Sequence, residues 1–343
     1  MIDGHGDDIY LYGNGIRANF SSNVYNHFSH DGLFNYLSGQ MSVVAHYPQP
    51  APRRLEASLA RRLHVGADEL LVTAGATEAI YLTALAMRGS RSAIVVPAFA
   101  EYADACQLHS HQVVCIRTLE EMPSGTEVMW ICNPNNPTGQ VLGREKLLDF
   151  MLRHPDVLFV VDASYASFTR IPLVTSEEAC RLPNVVVLHS MTKEFAIPGL
   201  RLGFLTSSSS LVARIGKGRM PWPVNGLAEE AGLWLVSHAE EYRLPLDVLL
   251  EERRRVSIRL SRTGLCEPLP SDTHILLCCL RIGTAADLKS YLVREHGILI
   301  RDASNFAGLD GRFFRIAVQT PEENDALIDG IECFANYLKR GKE

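Results

Sequence analysis

Between residues 70 and 215 the chain carries about seven short apolar runs, separated by patterns with helical period. They are "ELLVTAG", "SAIVVPAF", "QVVCIRTL", "EVMWICNP", "VLFVVDAS", "NVVVLHSM" and "RLGFLTS". Most of them lack the polar–apolar alternation of a strand with one wet face. A continuous run needs cover on both sides, which predicts a mostly parallel seven-stranded sheet flanked by helices, an α/β fold. Polar, aromatic, ionisable or glycine residues follow the end of run after run: Gly75-Ala76-Thr77, Phe99, Asn136, Asp162 and Lys193. Ligands in open α/β sheets bind at the carboxyl ends of the strands, so these positions are expected to converge.

Beyond Trp222 the pattern changes. A long helical stretch breaks near Pro245, and strand, helix, two strands and a final amphipathic helix follow. This predicts a smaller α+β domain. The expected division is 41–240 for a large domain and 1–40 plus 241–343 for a small one.

Charge and cysteine usage narrow the class. The 343 residues carry a net charge of −6, which offers no electrostatic reason to expect nucleic acid. No apolar run reaches the ~18 residues of a membrane span, and the opening "MIDGHGDDIYLYGNG" lacks the basic and apolar regions of a secretory signal. Cys106, Cys115, Cys132, Cys180, Cys266, Cys278, Cys279 and Cys333 show no CxxC spacing and mostly sit in apolar segments. Reduced core thiols and a cytoplasmic location are expected. His109 and His111 have no spaced His, Cys or carboxylate to complete a metal site, so both are expected at the surface and no metal is expected. Arg253, Arg254 and Arg255 are expected on the solvated face of a helix.

Lys193 follows directly on a core strand. Most lysines at strand ends point to solvent. Around this one stand Ser190, Thr192 and Arg201, with Gly199 and Gly203 allowing close approach of the backbone. That set suits a phosphate beside an amine, and a lysine near fixed positive charge has a lowered pKa and acts as a nucleophile toward an aldehyde. Gly75-Ala76-Thr77 is either a helix N-cap or a phosphate seat at a helix N-terminus. Asp162 is either a cap or the partner of a cation, such as a protonated pyridine nitrogen, and Tyr165 is placed to reach the same ligand. Asn136 lies in "CNPNNPTG", a rigid loop or a ligand-facing one.

The segments "NPNNPTG", "DASY" and "SMTKEFAIPGLRLGF", in this order and at these separations, resemble the fold-type I pyridoxal-phosphate enzymes of the class I/II aminotransferase family. The resemblance runs through essentially the whole chain. It implies the aspartate-aminotransferase-like fold and pyridoxal 5'-phosphate as cofactor. It implies that Lys193 bonds the cofactor's aldehyde, that Asp162 pairs with the pyridine nitrogen, and that Asn136 and Tyr165 bind the ring oxygen. Gly75, Ala76, Thr77, Ser190, Thr192 and Arg201 would hold the phosphate, and Phe99 would stack on the ring with Tyr102 close by. Arg315 matches an arginine that grips a substrate carboxylate. Tyr47 matches a tyrosine that reaches the neighbouring subunit's cofactor, which implies a homodimer with a shared site. One departure is Ala163-Ser164, where "DEAY" is commoner; neither position performs chemistry.

Two subgroups are most similar, threonine-phosphate decarboxylase of cobalamin synthesis and histidinol-phosphate aminotransferase. "HGDDIY", "NFSSNVY" and "MPWPVNGLAEEAG" are nearer to the decarboxylase, although Tyr25-Asn26 replaces its usual Asn-Pro. Arg301 and Arg315 match a substrate-gripping pair, with Asn23 and His5 as further substrate contacts, although a histidine in such a segment is more often solvated than a ligand. If Arg315 holds a carboxylate in the cofactor plane, the Cα–H bond stands upright and amino transfer follows; if the pair grips a phosphate, the carboxylate can stand upright and leave. The sequence leaves the choice open. A non-catalytic effector module of a transcription regulator is the contrasting class, but no basic helix-turn-helix precedes the first motif.

Overall fold

The structure, a computed structural model, describes residues 6–340. β1 (Ala18–Asn19), α1 (Asp31–Gly39) and α2 (Arg53–Leu63) lead into the large sheet. This contains β2 (Leu70–Thr73), β3 (Arg91–Val95), β4 (Gln112–Ile116), β5 (Val128–Cys132), β6 (Leu158–Asp162), β7 (Val185–Ser190) and β8 (Gly203–Ser207). Between them run α3 (Ala76–Ala86), α4 (Glu101–Leu108), α5 (Arg144–Arg153), α6 (Ser176–Arg181) and the short α7 (Met191–Glu194). Then come α8 (Ser209–Gly216), α9 (Gly226–Ser237) and α10 (Leu246–Arg262). The remainder is β9 (Cys266–Pro268), β10 (Ile275–Leu280), α11 (Ala285–His296), β11 (Ile298–Leu299), β12 (Arg301–Asp302), β13 (Phe313–Ala317) and α12 (Pro321–Arg340).

The seven-stranded sheet has the order β2-β8-β7-β6-β5-β3-β4. Only β8 runs against its neighbours, antiparallel to both β2 and β7. Successive side chains of a strand point to opposite faces, and the central strands use both. Val128, Trp130, Val160, Val186 and Leu188 pack with residues of α3 and α4. Met129, Ile131, Val161, Val185 and Val187 pack with residues of α5 and α6. That two-sided burial is why these runs carry no polar break; each such aliphatic side chain contributes roughly 1.5–3 kcal/mol on burial.

The second sheet is antiparallel, in the order β12-β13-β10-β9. Leu276, Cys278, Phe314 and Ile316 face a core shared with α10, α11 and α12. The alternate face carries Leu277, packed with Ala303 and Phe306, and Arg315, which is Leu277's partner in the ladder. β1 pairs in parallel with β11, whereas Leu33 of α1 joins the core of α2 and α9. The N-terminal forty residues therefore touch both sheets' surroundings. Among the described residues no helix is long and apolar enough to cross a membrane.

Two surface expectations are corrected. His111 is buried: one ring nitrogen is bonded to the Ser92 hydroxyl at 2.7 Å and the other to the Ala84 carbonyl at 2.8 Å, which satisfies the ring without a metal. Of the arginine run only Arg254 is exposed. Arg255 is half-buried and pairs with Glu252 and Asp325, and Arg253 is half-buried with its Nε unpartnered. A helix that packs against α12 has too narrow a wet face for three consecutive arginines.

Candidate active site

Lys193 owes its place to the reversal of β8. Because β8 returns antiparallel to β7, the connection 191–202 stays at the carboxyl end of β7 and brings Lys193 and Arg201 to one cavity. That cavity measures about 460 Å³. Lys193 is half-buried on its wall, and its Nζ donates to Asn23 Oδ1. Burial lowers its pKa to about 8, with Arg315 and Arg201 acting in the same direction and Asp7 and Asp162 against it.

Asp162 ends β6 and is buried. Its Oδ2 accepts from the Tyr102 hydroxyl at 2.6 Å and its Oδ1 from the backbone N–H of Ser164 at 2.9 Å. Tyr102 comes from α4 and stacks on Trp130 at 5.9 Å, so the acid is fixed from a second element. The loop "NPNNPTG" divides its asparagines by task. Asn133 bonds both ways with the Leu142 backbone at 2.8 Å, and Asn135 donates to the Pro97 carbonyl at 2.9 Å. Asn136 is left to line the cavity, where its Oδ1 accepts from Arg315 Nη1 at 2.8 Å.

Tyr165 is buried, which raises the pKa of its hydroxyl. The hydroxyl accepts from Asn23 Nδ2, so Lys193, Asn23 and Tyr165 form one chain. Behind Tyr165 lies His274, stacked on Phe168 at 3.8 Å, with neither ring nitrogen bonded. Burial pushes its pKa down to about 3 and keeps the ring neutral beside Lys193 and Arg315.

The expected phosphate seat has the shape of a cradle. Ala76 and Thr77 open α3, and both line the cavity. A Cβ on Gly203 would sit 2.6 Å from the Ala76 nitrogen, and one on Gly75 (φ +87°) would sit 2.7 Å from Arg201 Nη2. At Gly203 only glycine lets the two backbones come so close, and at Gly75 the positive φ favours glycine. Thr192 Oγ1 is buried without a partner, which is costly unless a ligand supplies one. Ser190 and Phe99 also line the cavity.

Facing this half is a wall that carries the two arginines expected to bind substrate. Arg301 and Arg315 are direct partners across the β12–β13 ladder, so both project from the same face into the cavity. Arg315 is buried, and its pKa falls to about 10 through burial and the like charge of Arg301. Its Nη2 donates to the Ser21 carbonyl. Arg301 donates to Asn305 at 2.8 Å and lies 5.4 Å from the Phe306 ring centroid. Gly6, Asp7 and Ser21 complete this wall.

Three expected residues lie elsewhere. Gly75 is behind Arg201 rather than on the cavity wall. Tyr47 is 85% exposed, lies tilted against Trp222 with ring centroids 5.2 Å apart and takes no part in this chain's own cavity. His5 lies outside the described residues. Residues that the sequence did not single out individually for the site include Asp7, Ser21 and Asn305; only folding brings them to the arginines, with Ser21 meeting Arg315 across 294 positions. Among the described residues no His, Cys, Asp and Glu cluster could hold a metal.

Comparison with known proteins gives the family of the chain. The family profile described as aminotransferase class I and II matches residues 17–331. The chain is 30% identical over 314 residues to the threonine-phosphate decarboxylase of Salmonella typhimurium, covering 85% of this chain and 84% of that one. It is similar to the crystal structure of L-threonine-O-3-phosphate decarboxylase from Porphyromonas gingivalis, with a TM-score of 0.91 and 37% identity over 93% of this chain and 99% of that one. The histidinol-phosphate aminotransferase from Clostridium acetobutylicum superposes with a TM-score of 0.85 at 25% identity, over 93% and 99%. The chain therefore belongs to the class I and II aminotransferase family and is a pyridoxal-phosphate-dependent enzyme.

Proposed function

We propose that this enzyme acts on a small phosphorylated amino compound and removes carbon dioxide from an amino acid of the threonine-phosphate type. The observation that carries the reading is the opposed pair Arg301 and Arg315. Two guanidinium groups directly across a ladder repel one another; a dianion between them relieves this and takes several charge-assisted bonds. The similarity to threonine-phosphate decarboxylases supports the same choice.

The residues present fit the cofactor, since the orphaned Thr192 hydroxyl and the glycine cradle answer to a phosphate. Pyridoxal phosphate, when bound, supplies an aldehyde that bonds amines and a ring that withdraws electrons from the amine-bearing carbon. Thr77, Ser190, Thr192 and Arg201 would hold its phosphate, Asp162 its ring nitrogen, Asn136 and Tyr165 its ring oxygen, and Phe99 a ring face. Lys193, with a pKa of about 8, is partly neutral near pH 7 and so able to attack an aldehyde. When the Cα–carboxylate bond breaks and carbon dioxide leaves, the electron pair stays at Cα and Lys193 Nζ supplies the proton that replaces it. In amino transfer the same nitrogen instead removes the proton from Cα. The arginines select between the two by fixing which anion they hold.

Incubation with threonine phosphate should release carbon dioxide and the corresponding amino alcohol phosphate. Oxo-acid-dependent amino transfer from histidinol phosphate, with no carbon dioxide from threonine phosphate, overturns the decarboxylase in favour of the aminotransferase. Each subunit is proposed to work in a homodimer, with Tyr47 reaching the partner's cofactor; its exposure beside Trp222 and the exposed Met41, Val44 and Met220 supports this. Sedimentation at the mass of one chain excludes it. A cytoplasmic location is proposed on the eight unpaired cysteines.

A further inference from the structure

A carboxylate stands in the half of the cavity that the two arginines make positive. Asp7 lines the wall there and is half-buried. Its backbone is left-handed, at φ 61°, a region that residues other than glycine rarely occupy. Two bonds hold it there. Its N–H donates to Ser21 Oγ at 3.0 Å, and its Oδ1 accepts from Asn19 Nδ2 at 2.6 Å. Asn19 is fixed in turn, because its own Oδ1 accepts the N–H groups of Ser21 and Ser22 at 3.0 Å. The flanks are anchored too. A Cβ on Gly6 would lie 3.1 Å from Arg301 Cδ, and Asp8 accepts from Lys289 Nζ at 2.5 Å. Asp7 is thus a positioned charge. Its field reaches both Lys193 and Arg315 and favours their protonated forms.

We propose that Asp7 is a specificity-determining residue that receives the ammonium group of the substrate, so that the cavity prefers phosphorylated amines to phosphates or carboxylates that lack a cation. This rests on reading the cavity as a site for phosphorylated amines. The arginines serve the phosphate and Asp7 serves the cation, so a ligand bearing both charges meets a partner for each. An amine arrives at neutral pH as an ammonium ion, and the amine product of decarboxylation becomes one on release. The oxo acid that amino transfer needs as acceptor has a carbonyl in place of that cation, and its carboxylates are repelled by Asp7. Asp7 therefore favours decarboxylation through the choice of ligand rather than at Cα.

The test uses the holoenzyme and two phosphates of the same shape. Dimethylaminoethyl phosphate carries a cation that cannot bond the cofactor's aldehyde; 3-methylbutyl phosphate replaces its nitrogen by carbon. Calorimetric titration should show the wild-type enzyme preferring the cation. Asp7→Asn keeps an acceptor for Asn19 and tolerates the positive φ, and should reduce that preference about tenfold while tightening 2-oxoglutarate by a similar factor, the scale on which a charge a few ångströms away acts. Lys289→Ala, which releases the anchor, should weaken both phosphates together. If both phosphates bind and their ratio is unchanged in Asp7→Asn, the role of Asp7 is overturned while the site reading stands. If neither binds the wild-type enzyme, the reading of the site as one for phosphorylated amines falls, and this proposal falls with it.

Discussion

The two halves of the cavity are built in different ways. The half assigned to the cofactor is local: Thr77, Asn136, Asp162 and Lys193 each stand within a few residues of the end of a parallel strand. The half assigned to the substrate is assembled from distant parts of the chain. Arg315 meets Ser21 across 294 positions, Lys193 meets Asn23 across 170, and Asn136 meets Arg315 across 179. A sheet presents its strand ends together without further instruction. The opposing wall exists only because β1 is docked on β11 and the antiparallel sheet is folded against the large one.

If the comparison is right, the largest effects belong to the local half. Lys193→Ala should lower turnover by about 10³-fold or more and abolish the absorbance band of the lysine-linked cofactor; a variant that keeps that band means another amine carries it. Asp162→Ala should lower kcat by about 10²–10³-fold, with Tyr102→Phe milder because the Ser164 N–H still holds the acid. The assembled half should show itself in KM. Arg315→Ala should raise KM for the phosphorylated substrate about 10²-fold, and Arg301→Ala about tenfold, since Arg315 is the more deeply buried of the two and ties Asn136 to Ser21. Equal effects of the two arginines on kcat alone would remove the distinction between the halves.

Smaller effects sharpen the boundary. Gly203→Ala forces a Cβ onto the Ala76 nitrogen and should weaken cofactor affinity about tenfold, with a loss of about 1–3 kcal/mol in stability measured by denaturant. Last is pH. The neutral amine of Lys193 is the reactive form, and its pKa is lowered to about 8. The rate at which apoenzyme takes up pyridoxal phosphate should therefore climb tenfold per pH unit below 8 and level off above it. A rise that continues to pH 10 means that the lysine is not held in this environment.

How much was legible follows the same division. The apolar runs read as strands because the central ones are buried on both faces, whereas the edge strand β4 keeps Val114 and Cys115 exposed; "NPNNPTG" read as a rigid or ligand-facing loop because prolines and asparagines cluster directly after an apolar strand. His111 was misplaced because a histidine's burial depends on a hydroxyl from Ser92 and a carbonyl from Ala84, neither visible in its own spacing. Asp7 stood inside "HGDDIY" without a role of its own, because its bonds to Asn19 and Ser21 exist only in the folded chain. The antiparallel direction of β8 was equally silent, since an apolar run has no direction.

By itself the sequence determined the parallel sheet, the set of groups at its carboxyl edge and the kinship of the chain, because hydrophobic period and short motifs are properties of neighbours along the backbone. Only the tertiary structure decided that Arg301 faces Arg315, that Asn23 bridges Lys193 to Tyr165, and that a carboxylate from the N-terminal segment stands among the cations. Those relations depend on register between strands and on the docking of remote segments, and no local pattern encodes a distance through space.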